Sequence, residues 1–395
     1  MKRIKPGKLL LSVLLLLSMT LSLFACGETK PEETETEKPD GTTEGATETE
    51  TEAETEAPPR EIAPVYPENG ATVSLLTDEM TEWVKKYKAG KLDKIFDFTE
   101  KCEPVPVVLR WENADGVLYS HVFIADNEKM ENAAVYLCST QYLTVEDLYT
   151  GADYFWQVVA EYGDKTEKSG IFSFKTMYSP RTLAVDGVSN IRDIGGYTVS
   201  DGKRIKRGIV FRGGDFERIT EAGKNKLVNV IGIKTELDLR EKTNKDPSPL
   251  GADINYYAVS GPWYNNALED AYKQELVKEL RVFADPDNYP IYFHCSLGRD
   301  RTGTLSFLLL SLCGAAKNDI YMDYEVSFFS DYSGYVDTTA PFYMTKTVLD
   351  GFRKTVQSYD NKGTLYDATR TFLKSLGMTD AELDAIRANL LEDAG

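Results

Sequence analysis

Histidine is scarce in this sequence: its 395 residues include only His121 and His294. A zinc site built on histidine is therefore not expected. A serine–histidine–aspartate triad has almost no room either, because His294 is directly beside Cys295. The cysteines are too few and too scattered for a disulfide-framework fold; they stand at positions 26, 102, 138, 295 and 313.

Positive charge is also in short supply, with 45 Lys and Arg against 63 Asp and Glu, a formal net charge of −18. Nucleic acid is therefore excluded as the main partner, since phosphate backbones need a basic surface. At 42% hydrophobic and 11% aromatic residues, the chain can still bury a core. Its length allows two or three domains of roughly 100–200 residues each.

The N-terminus is typical of an export signal. Residues 1–8 carry four positive charges, and an apolar, leucine-rich run extends to residue 25. The run ends in Leu-Phe-Ala-Cys26, which resembles a bacterial lipobox with Cys26 as the lipidated residue. The alternative is a signal-anchor helix, although the run is short for a span of ~20 residues. We expect a signal peptide over 1–25 and a lipid-anchored protein on the extracytoplasmic face of a bacterial cell membrane.

Residues 26–60 are predicted to form a disordered linker after the lipidated cysteine. From residue 28 onward this segment has twelve acidic and three basic residues, a net charge of −9, and no aromatic residue. Such a composition cannot offset the entropy cost of ordering, and its self-repulsion extends the chain. The segment is interpreted as a tether, in preference to a calcium site.

Residues 61–177 favour a second, all-β domain. Short alternating runs end at Trp111, Ala125 and Ala160, and a helical interruption lies over 77–98. The segment Leu148–Ala160 resembles the tyrosine corner of a fibronectin type III sandwich. The resemblance implies either a spacer or a binder of a cell-wall or protein ligand, and whether Cys102 and Cys138 pair is left open.

One segment carries the chemistry. It reads Ile-Tyr-Phe-His294-Cys295-Ser-Leu-Gly-Arg-Asp-Arg301-Thr302-Gly and continues into a leucine-rich stretch. This pattern predicts a short strand, a tight loop and a buried helix beginning near Arg301. Backbone N–H groups at such a helix N-terminus form a cradle for phosphate. The predicted phosphate-binding residues are Ser296, Leu297, Gly298, Arg299, Asp300 and Arg301.

The pattern His-Cys-x5-Arg-Thr resembles the signature of the cysteine-dependent protein tyrosine phosphatases. Boxes beginning at Asn190, Arg207 and Gly232 resemble the bacterial branch of that superfamily, and the resemblance spans 181–395. It implies an α/β phosphatase domain with a central sheet flanked by helices. Family members often have lysine where this chain has Arg299, and several act on phosphoinositides as well as phosphotyrosine.

A mechanism follows from these residue types. The Cys295 thiolate, favoured by the helix N-terminus, attacks phosphorus and forms a phosphocysteine that water hydrolyses. Arg301 stabilises the transferring group, and the Thr302 hydroxyl donates to the sulfur. His294 orients the loop. The general acid is Asp300 as first choice and Asp238 as second, where the second has the alternative role of an ion-pair partner for Arg240 or Arg192.

No metal or cofactor is expected, because the cradle itself supplies the charge. The expected substrate is a phosphorylated protein, most readily one bearing phosphotyrosine. Two alternatives stay open: a phosphatase for phosphoinositides or inositol phosphates, which Arg299 would suit, and a catalytically silent surface-binding lipoprotein.

Overall fold

The computed structural model describes residues 61–87, 103–113, 115–240, 248–330 and 343–394. The predicted signal peptide, Cys26 and the acidic linker lie outside the described residues. By contacts the chain forms two compact units. The described parts of the smaller unit are 61–69, 109–143 and 154–173, apart from residue 114, and the larger unit holds the remainder. Within the described ranges, no helix has the length and apolar character needed to cross a membrane.

The region between residues 61 and 177 is rich in strands, as its alternating pattern predicts. The strands are β1 (Ala63–Tyr66), β2 (Ala71–Val73), β3 (Val107–Glu112), β4 (Tyr119–Ala125), β5 (Ala134–Cys138), β6 (Tyr142–Val145), β7 (Asp153–Glu161), β8 (Thr166–Lys168) and β9 (Phe172–Thr176). In the smaller unit, β4 pairs antiparallel with β5 and with β7. Two indoles, Trp111 and Trp156, are fully buried with ring centroids 6.4 Å apart. The fibronectin type III assignment of this region stays a prediction.

The predicted helical interruption is present as α1 (Asp78–Lys85), and residues 88–98 of the predicted span lie outside the described residues. Met80 and Trp83 are buried on one face, as the spacing predicts. They pack with Met322 and Phe329 in one apolar cluster, and the rings of Trp83 and Phe329 are 5.1 Å apart. This packing explains why α1 belongs to the larger unit. Cys138 is a buried free thiol, and Cys102 lies outside the described residues.

The larger unit contains a six-stranded sheet flanked by helices. The remaining strands of the larger unit are β10 (Arg181–Thr182), β11 (Arg192–Asp193), β12 (Lys203–Ile205), β13 (Val210–Gly213), β14 (Thr235–Asp238), β15 (Asn255–Ala258), β16 (Ile291–His294) and β17 (Leu391–Asp393). The sheet order is β10-β11-β13-β16-β14-β15. Its last four strands in this order, β13, β16, β14 and β15, run parallel to one another. Carboxyl ends of parallel strands meet at one edge, where ligands usually bind. The loops after β13, β14, β15 and β16 therefore meet at the edge that contains Cys295.

The helices of the larger unit cover this sheet with apolar faces. After α1 they are α2 (Glu221–Asn225), α3 (Asp270–Ala284), α4 (Asp300–Cys313), α5 (Lys317–Glu325), α6 (Asp350–Gln357), α7 (Leu365–Ser375) and α8 (Asp380–Leu390). Further helical turns, of the 3-10 or π type, lie at Lys226–Ile231, Tyr264–Leu268, Pro286–Asn288, Val326–Phe329 and Met344–Leu349. Helix α4 is buried from Thr302 to Cys313, which fits its uninterrupted apolar sequence. The predicted α/β architecture of this domain is confirmed.

Candidate active site

The predicted strand, loop and helix are present, with β16 ending at His294 and α4 beginning at Asp300. Cys295 starts the loop and is only 6% exposed. Gly298 has a φ of +69°, and a Cβ there would lie 2.3 Å from the carbonyl of Gly213. Only glycine fits this turn, because any side chain would collide with the neighbouring strand. The chain thus folds back tightly enough for its amides to surround an anion at the helix N-terminus.

A cavity of about 510 Å³ opens above this loop. It brings together the predicted residues Cys295, Ser296, Leu297, Arg299, Asp300 and Arg301. Four further lining residues were missed by the sequence reasoning: Trp263, Tyr264, Met344 and Val348. An aromatic pair in the loop after a parallel strand is a signal that could have identified the first two.

Arg301 is fixed at the cavity by two contacts. Its Nη1 donates to the carbonyl oxygen of Leu239 at 3.3 Å, and its guanidinium lies 4.9 Å from the ring centroid of Trp263. A cation over an indole face gains about 0.5–2 kcal/mol, depending on how dry the site is. Both contacts hold the planar guanidinium at the cavity, and a guanidinium has the geometry to pair with two oxygens of a phosphate.

A buried arginine holds the far side of the loop. Arg212 donates from Nη2 to the carbonyl oxygen of Gly298 at 2.9 Å and from Nη1 to Oδ2 of Asp323 at 2.5 Å. Oδ1 of Asp323 accepts from Nε of Arg192 at 2.9 Å. Burial alone would raise the pKa of Asp323, but the two guanidiniums lower it below its usual value. Asp323 therefore remains ionised and keeps Arg212 against the loop.

The Asn190 box also contacts the loop directly. The Asn190 side chain donates to the carbonyl oxygen of Leu297 at 2.9 Å and accepts from Nη1 of Arg192 at 2.5 Å. Asn190 has a left-handed backbone, with φ of +57°, which asparagine tolerates better than most residues. One of the three boxes behind the family resemblance thus binds the loop directly, through the carbonyl oxygen of Leu297.

His294 lies behind the loop and is fully buried. Its Nδ1 is 3.2 Å from the carbonyl oxygen of Cys295, and its Nε2 is 2.9 Å from Oε1 of Glu236. Because a carbonyl oxygen carries no proton, Nδ1 donates in the first contact. Its geometry agrees with the predicted orienting role. Glu236, which in turn accepts from the Ser248 hydroxyl, was not identified from the sequence.

Glu236, Asp238 and His294 form a buried group whose ligand atoms lie within 4.8 Å of one another, close enough to hold a metal ion. Their oxygens and ring nitrogens are already engaged by protein donors and acceptors, among them Ser248 and Arg240. A metal ion would have to displace these bonds in a closed interior. We therefore assign the group to the hydrogen-bonding network beneath the loop.

Asp300 lies at the cavity with 32% of its side chain exposed. Its Oδ1 accepts from the Tyr264 hydroxyl at 2.8 Å and from Nε of Arg299 at 3.1 Å. Its Oδ2 is 3.3 Å from Nη2 of Arg299. The carboxyl group is thus near the sulfur-bearing loop and open to solvent, where a departing oxygen can meet it. Arg299 is partly occupied by this pair, and it also lies 5.8 Å from the Phe328 ring centroid.

Asp238, the second choice for the acid, is an ion-pair partner of Arg240 in this structure. It is fully buried, and Arg240 donates to it from its backbone N–H at 3.0 Å and from Nε and Nη2 at 2.9 Å. The Tyr256 hydroxyl donates to its Oδ2 at 3.1 Å. Burial would raise the pKa of Asp238, but these Arg240 bonds lower it, so the group holds no proton to give. The catalytic assignment of Asp238 is therefore corrected to an ion pair, whereas Arg192 pairs with Asp323.

Thr302 is buried in the first turn of α4, and its hydroxyl has no hydrogen-bond partner in the described part of the chain. The predicted bond from this hydroxyl to the Cys295 sulfur is therefore not made in this structure. A buried hydroxyl without a partner is costly. Donation from the Thr302 hydroxyl to the sulfur when phosphate occupies the loop stays a prediction.

Comparison with known proteins identifies the domain. The model of the tyrosine phosphatase family matches residues 183–392. The chain belongs to the tyrosine phosphatase family. The resemblance inferred from the cysteine loop and the three boxes is confirmed, and the domain is of the phosphatase hydrolase type.

Individual relatives are named as tyrosine-protein phosphatases, and each matches this chain over part of its length. A protein of Cupriavidus necator whose name places it among the tyrosine-protein phosphatases is 26% identical over 36% of this chain and 61% of its own. A tyrosine-protein phosphatase of Nostoc commune is 31% identical over 29% of this chain and 47% of its own. The chain thus spans about half the length of the curated relatives it matches.

Solved structures give weaker likenesses. The catalytic domain of the PP-IP phosphatase Siw14 from S. cerevisiae covers 42% of this chain and 93% of its own, at 19% identity and a TM-score of 0.27. A fibronectin type III domain from the human KIAA0970 protein covers 21% of this chain and 68% of its own, at 23% identity and a TM-score of 0.17. At these scores neither likeness carries an argument about the substrate or about the fold of residues 61–177.

Proposed function

We propose that this protein hydrolyses phosphomonoesters, with phosphotyrosine as the preferred class, through a phosphocysteine on Cys295. The observation that carries the proposal is one cavity lined by Cys295, Arg301 and Asp300, which are a nucleophile, an anion-binding fork and an acid. These are the three chemical roles that phosphoryl transfer to a thiolate needs.

In the first step, the Sγ of Cys295 attacks phosphorus, the S–P bond forms and the bond from phosphorus to the phenol oxygen breaks. Asp300 gives its proton to that oxygen, while Arg301 and the loop amides stabilise the charge on the phosphoryl oxygens. In the second step, water attacks phosphorus, the S–P bond breaks and inorganic phosphate leaves; the proton lost by water passes to solvent, and Asp300 is protonated again from solvent. The sulfur returns to a thiolate, so the cycle balances without an added cofactor.

The cavity walls support an aromatic phosphate ester. Trp263, Leu297, Met344 and Val348 present apolar surface around the charged floor. A flat aromatic ring buries apolar area against such walls, whereas an inositol ring exposes hydroxyl groups that need polar partners. Arg299 at the same cavity supports the second candidate, a multiply phosphorylated inositol, although its Nε and Nη2 are engaged with Asp300.

A substrate panel tests the proposal. With purified full-length protein, we expect kcat/KM for a phosphotyrosyl peptide to exceed that for the matched phosphoserine peptide and for inositol phosphates by at least about tenfold. EDTA should leave the rate unchanged. A higher kcat/KM for inositol phosphates would transfer the assignment to the second candidate. No turnover of any of these esters would support the silent, surface-binding alternative.

We further propose that the protein is a surface lipoprotein, tethered by Cys26 and the acidic segment that follows. Support comes from the lipobox-like sequence and the basic and apolar segments before it. A lipid anchor with more than one acyl chain would hold the domain stably at a membrane. The sandwich region would then act as a spacer or bind a cell-wall or protein ligand.

Lipidation has a direct test. Expressed in a bacterial host with labelled fatty acid, the wild-type protein should take up label and partition into detergent. Cys26→Ala should remove the label, because the thiol that accepts the lipid is gone. Cys102→Ala is the matched control and should label as the wild type does. Equal labelling of Cys26→Ala and wild type would contradict the lipoprotein assignment.

A further inference from the structure

Tyr264 has an unusual backbone and lies at the cavity. Its φ is +51°, a left-handed conformation that a bulky residue adopts only where its surroundings hold it in place. Its backbone N–H donates to the Thr304 hydroxyl at 2.7 Å, and that hydroxyl donates to the carbonyl oxygen of Asp300 at 2.9 Å. The strained residue is thus fastened to the first turn of α4, directly beside the proposed acid. Backbone strain of this kind is concentrated at functional sites.

The Tyr264 side chain forms a chain of hydrogen bonds that ends on Asp300. Tyr264 is 5% exposed, its hydroxyl is 2.8 Å from Oδ1 of Asp300, and the Tyr324 hydroxyl is 2.5 Å from the Tyr264 hydroxyl. Each phenol carries one proton. If Tyr264 donates to the carboxylate, then Tyr324 must donate to Tyr264, so the chain has one direction. Burial, reinforced by Tyr324 and Asp300, raises the pKa of Tyr264 well above its usual value. It therefore remains a neutral donor.

This series of hydrogen bonds selects which oxygen of the Asp300 carboxyl group carries the proton. Oδ1 accepts from Tyr264 and from Nε of Arg299, whereas Oδ2 has, among the described residues, only the longer 3.3 Å contact with Arg299. The terminal torsion of an aspartate is broad and does not fix the carboxyl by itself. The two donors on Oδ1 hold the carboxyl in one orientation and leave Oδ2 for the transferable proton.

We propose that Tyr264 is a positioning residue for the acid: it aims Oδ2 of Asp300 at the leaving oxygen, and Tyr324 supports it. This inference rests on the proposed function, since it assigns Asp300 the transfer of a proton to a phenolate. Tyr264 itself need not touch the substrate for this role. Its effect should appear only in the step in which the leaving oxygen acquires its proton.

The test is Tyr264→Phe, which keeps the ring and removes the donor. We expect kcat for phenyl phosphate to fall about 10- to 100-fold, the value of one hydrogen bond to a charged group. KM should be little changed. For an aryl phosphate whose phenol has a pKa below about 5, kcat should be nearly unchanged, because such a group leaves without a proton.

Two further variants complete the design. Tyr324→Phe should show a smaller loss with the same dependence on the leaving group, and it tests the chain independently if Tyr264→Phe fails to fold. Tyr321→Phe is the matched control. Tyr321 lies on α5, the helix that also contains Tyr324, and its hydroxyl donates to Asp350 at 2.6 Å. Because this hydroxyl is away from Asp300, the variant should turn over both substrates at wild-type rates.

The outcomes separate the two proposals. A wild-type protein that turns over neither aryl phosphate overturns the proposed function. If the wild type is active and Tyr264→Phe slows both substrates equally, Tyr264 is merely structural and the positioning role is wrong. An unaltered rate with phenyl phosphate in Tyr264→Phe likewise overturns the positioning role while leaving the proposed function intact.

Discussion

Cys295→Ser should lower turnover of an aryl phosphate by on the order of 10⁴-fold or more, because serine at this position has no base to activate it. Cys295 lies at the start of the loop, is 6% exposed and lines the cavity. Oxygen and sulfur differ little in size, so the cradle of amides and Arg301 should remain assembled. Steady-state kinetics measures the loss, and calorimetry with tungstate should show oxyanion binding near the wild-type affinity.

Cys313 offers the matched control. It is buried within α4, where burial raises its pKa to about 12. Cys313→Ala should therefore keep its activity. Iodoacetate should inactivate the wild type by alkylating Cys295, and inorganic phosphate should protect it. Turnover that survives in Cys295→Ser, or that is lost to EDTA in the wild type, would show that the thiolate mechanism is wrong.

The cysteine loop could be predicted from sequence because its parts are contiguous. Between Cys295 and Arg301, the residue types, their spacing and the adjoining strand and helix patterns all point to one local structure. The apolar run after Arg301 similarly indicates a buried helix, and the structure confirms it. Local pattern suffices wherever the interacting groups are a few residues apart.

The supports of the loop come from distant segments, and this is why sequence reasoning missed most of them. Gly298 is held by a residue 86 positions away, His294 by one 58 positions away, and Asp300 by one 36 positions away. No local period records such pairings, which depend on how the parallel strands are ordered. The boxes that begin at Asn190 and Arg207 were identified by resemblance, but the contacts of Asn190 and Arg212 with loop carbonyls needed the fold.

Asp238 illustrates the same limit. Its position at the end of an apolar strand was read equally well as an acid or as a partner for Arg240, because both require a carboxylate at that edge of the sheet. Only the three-dimensional arrangement decides between them: the carboxylate is buried beneath the site, and the guanidinium of Arg240 covers it. Desolvation and pairing are properties of packing, so residue type and spacing do not determine them.

Asp300→Asn should slow turnover of a phosphotyrosyl peptide by about 10²–10⁴-fold, the usual contribution of a general acid. The amide keeps the size of the side chain and can still accept from Tyr264, but it has no proton to release to the phenolate. An aryl phosphate with an acidic phenol should be turned over at nearly the wild-type rate. Measurement of kcat against leaving-group pKa should therefore give a much steeper dependence in Asp300→Asn than in the wild type.

Asp238→Asn is the comparison that makes the result decisive. Arg240 keeps Asp215 and Glu217 as partners but loses the charge of the fully buried carboxylate, so we expect a loss of stability in urea unfolding. Any loss of activity should be equal for good and poor leaving groups, because proton transfer is untouched. If the steep leaving-group dependence appeared in Asp238→Asn and not in Asp300→Asn, the acid would have to be reassigned to Asp238. The Arg240 pair would then have to open during each turnover.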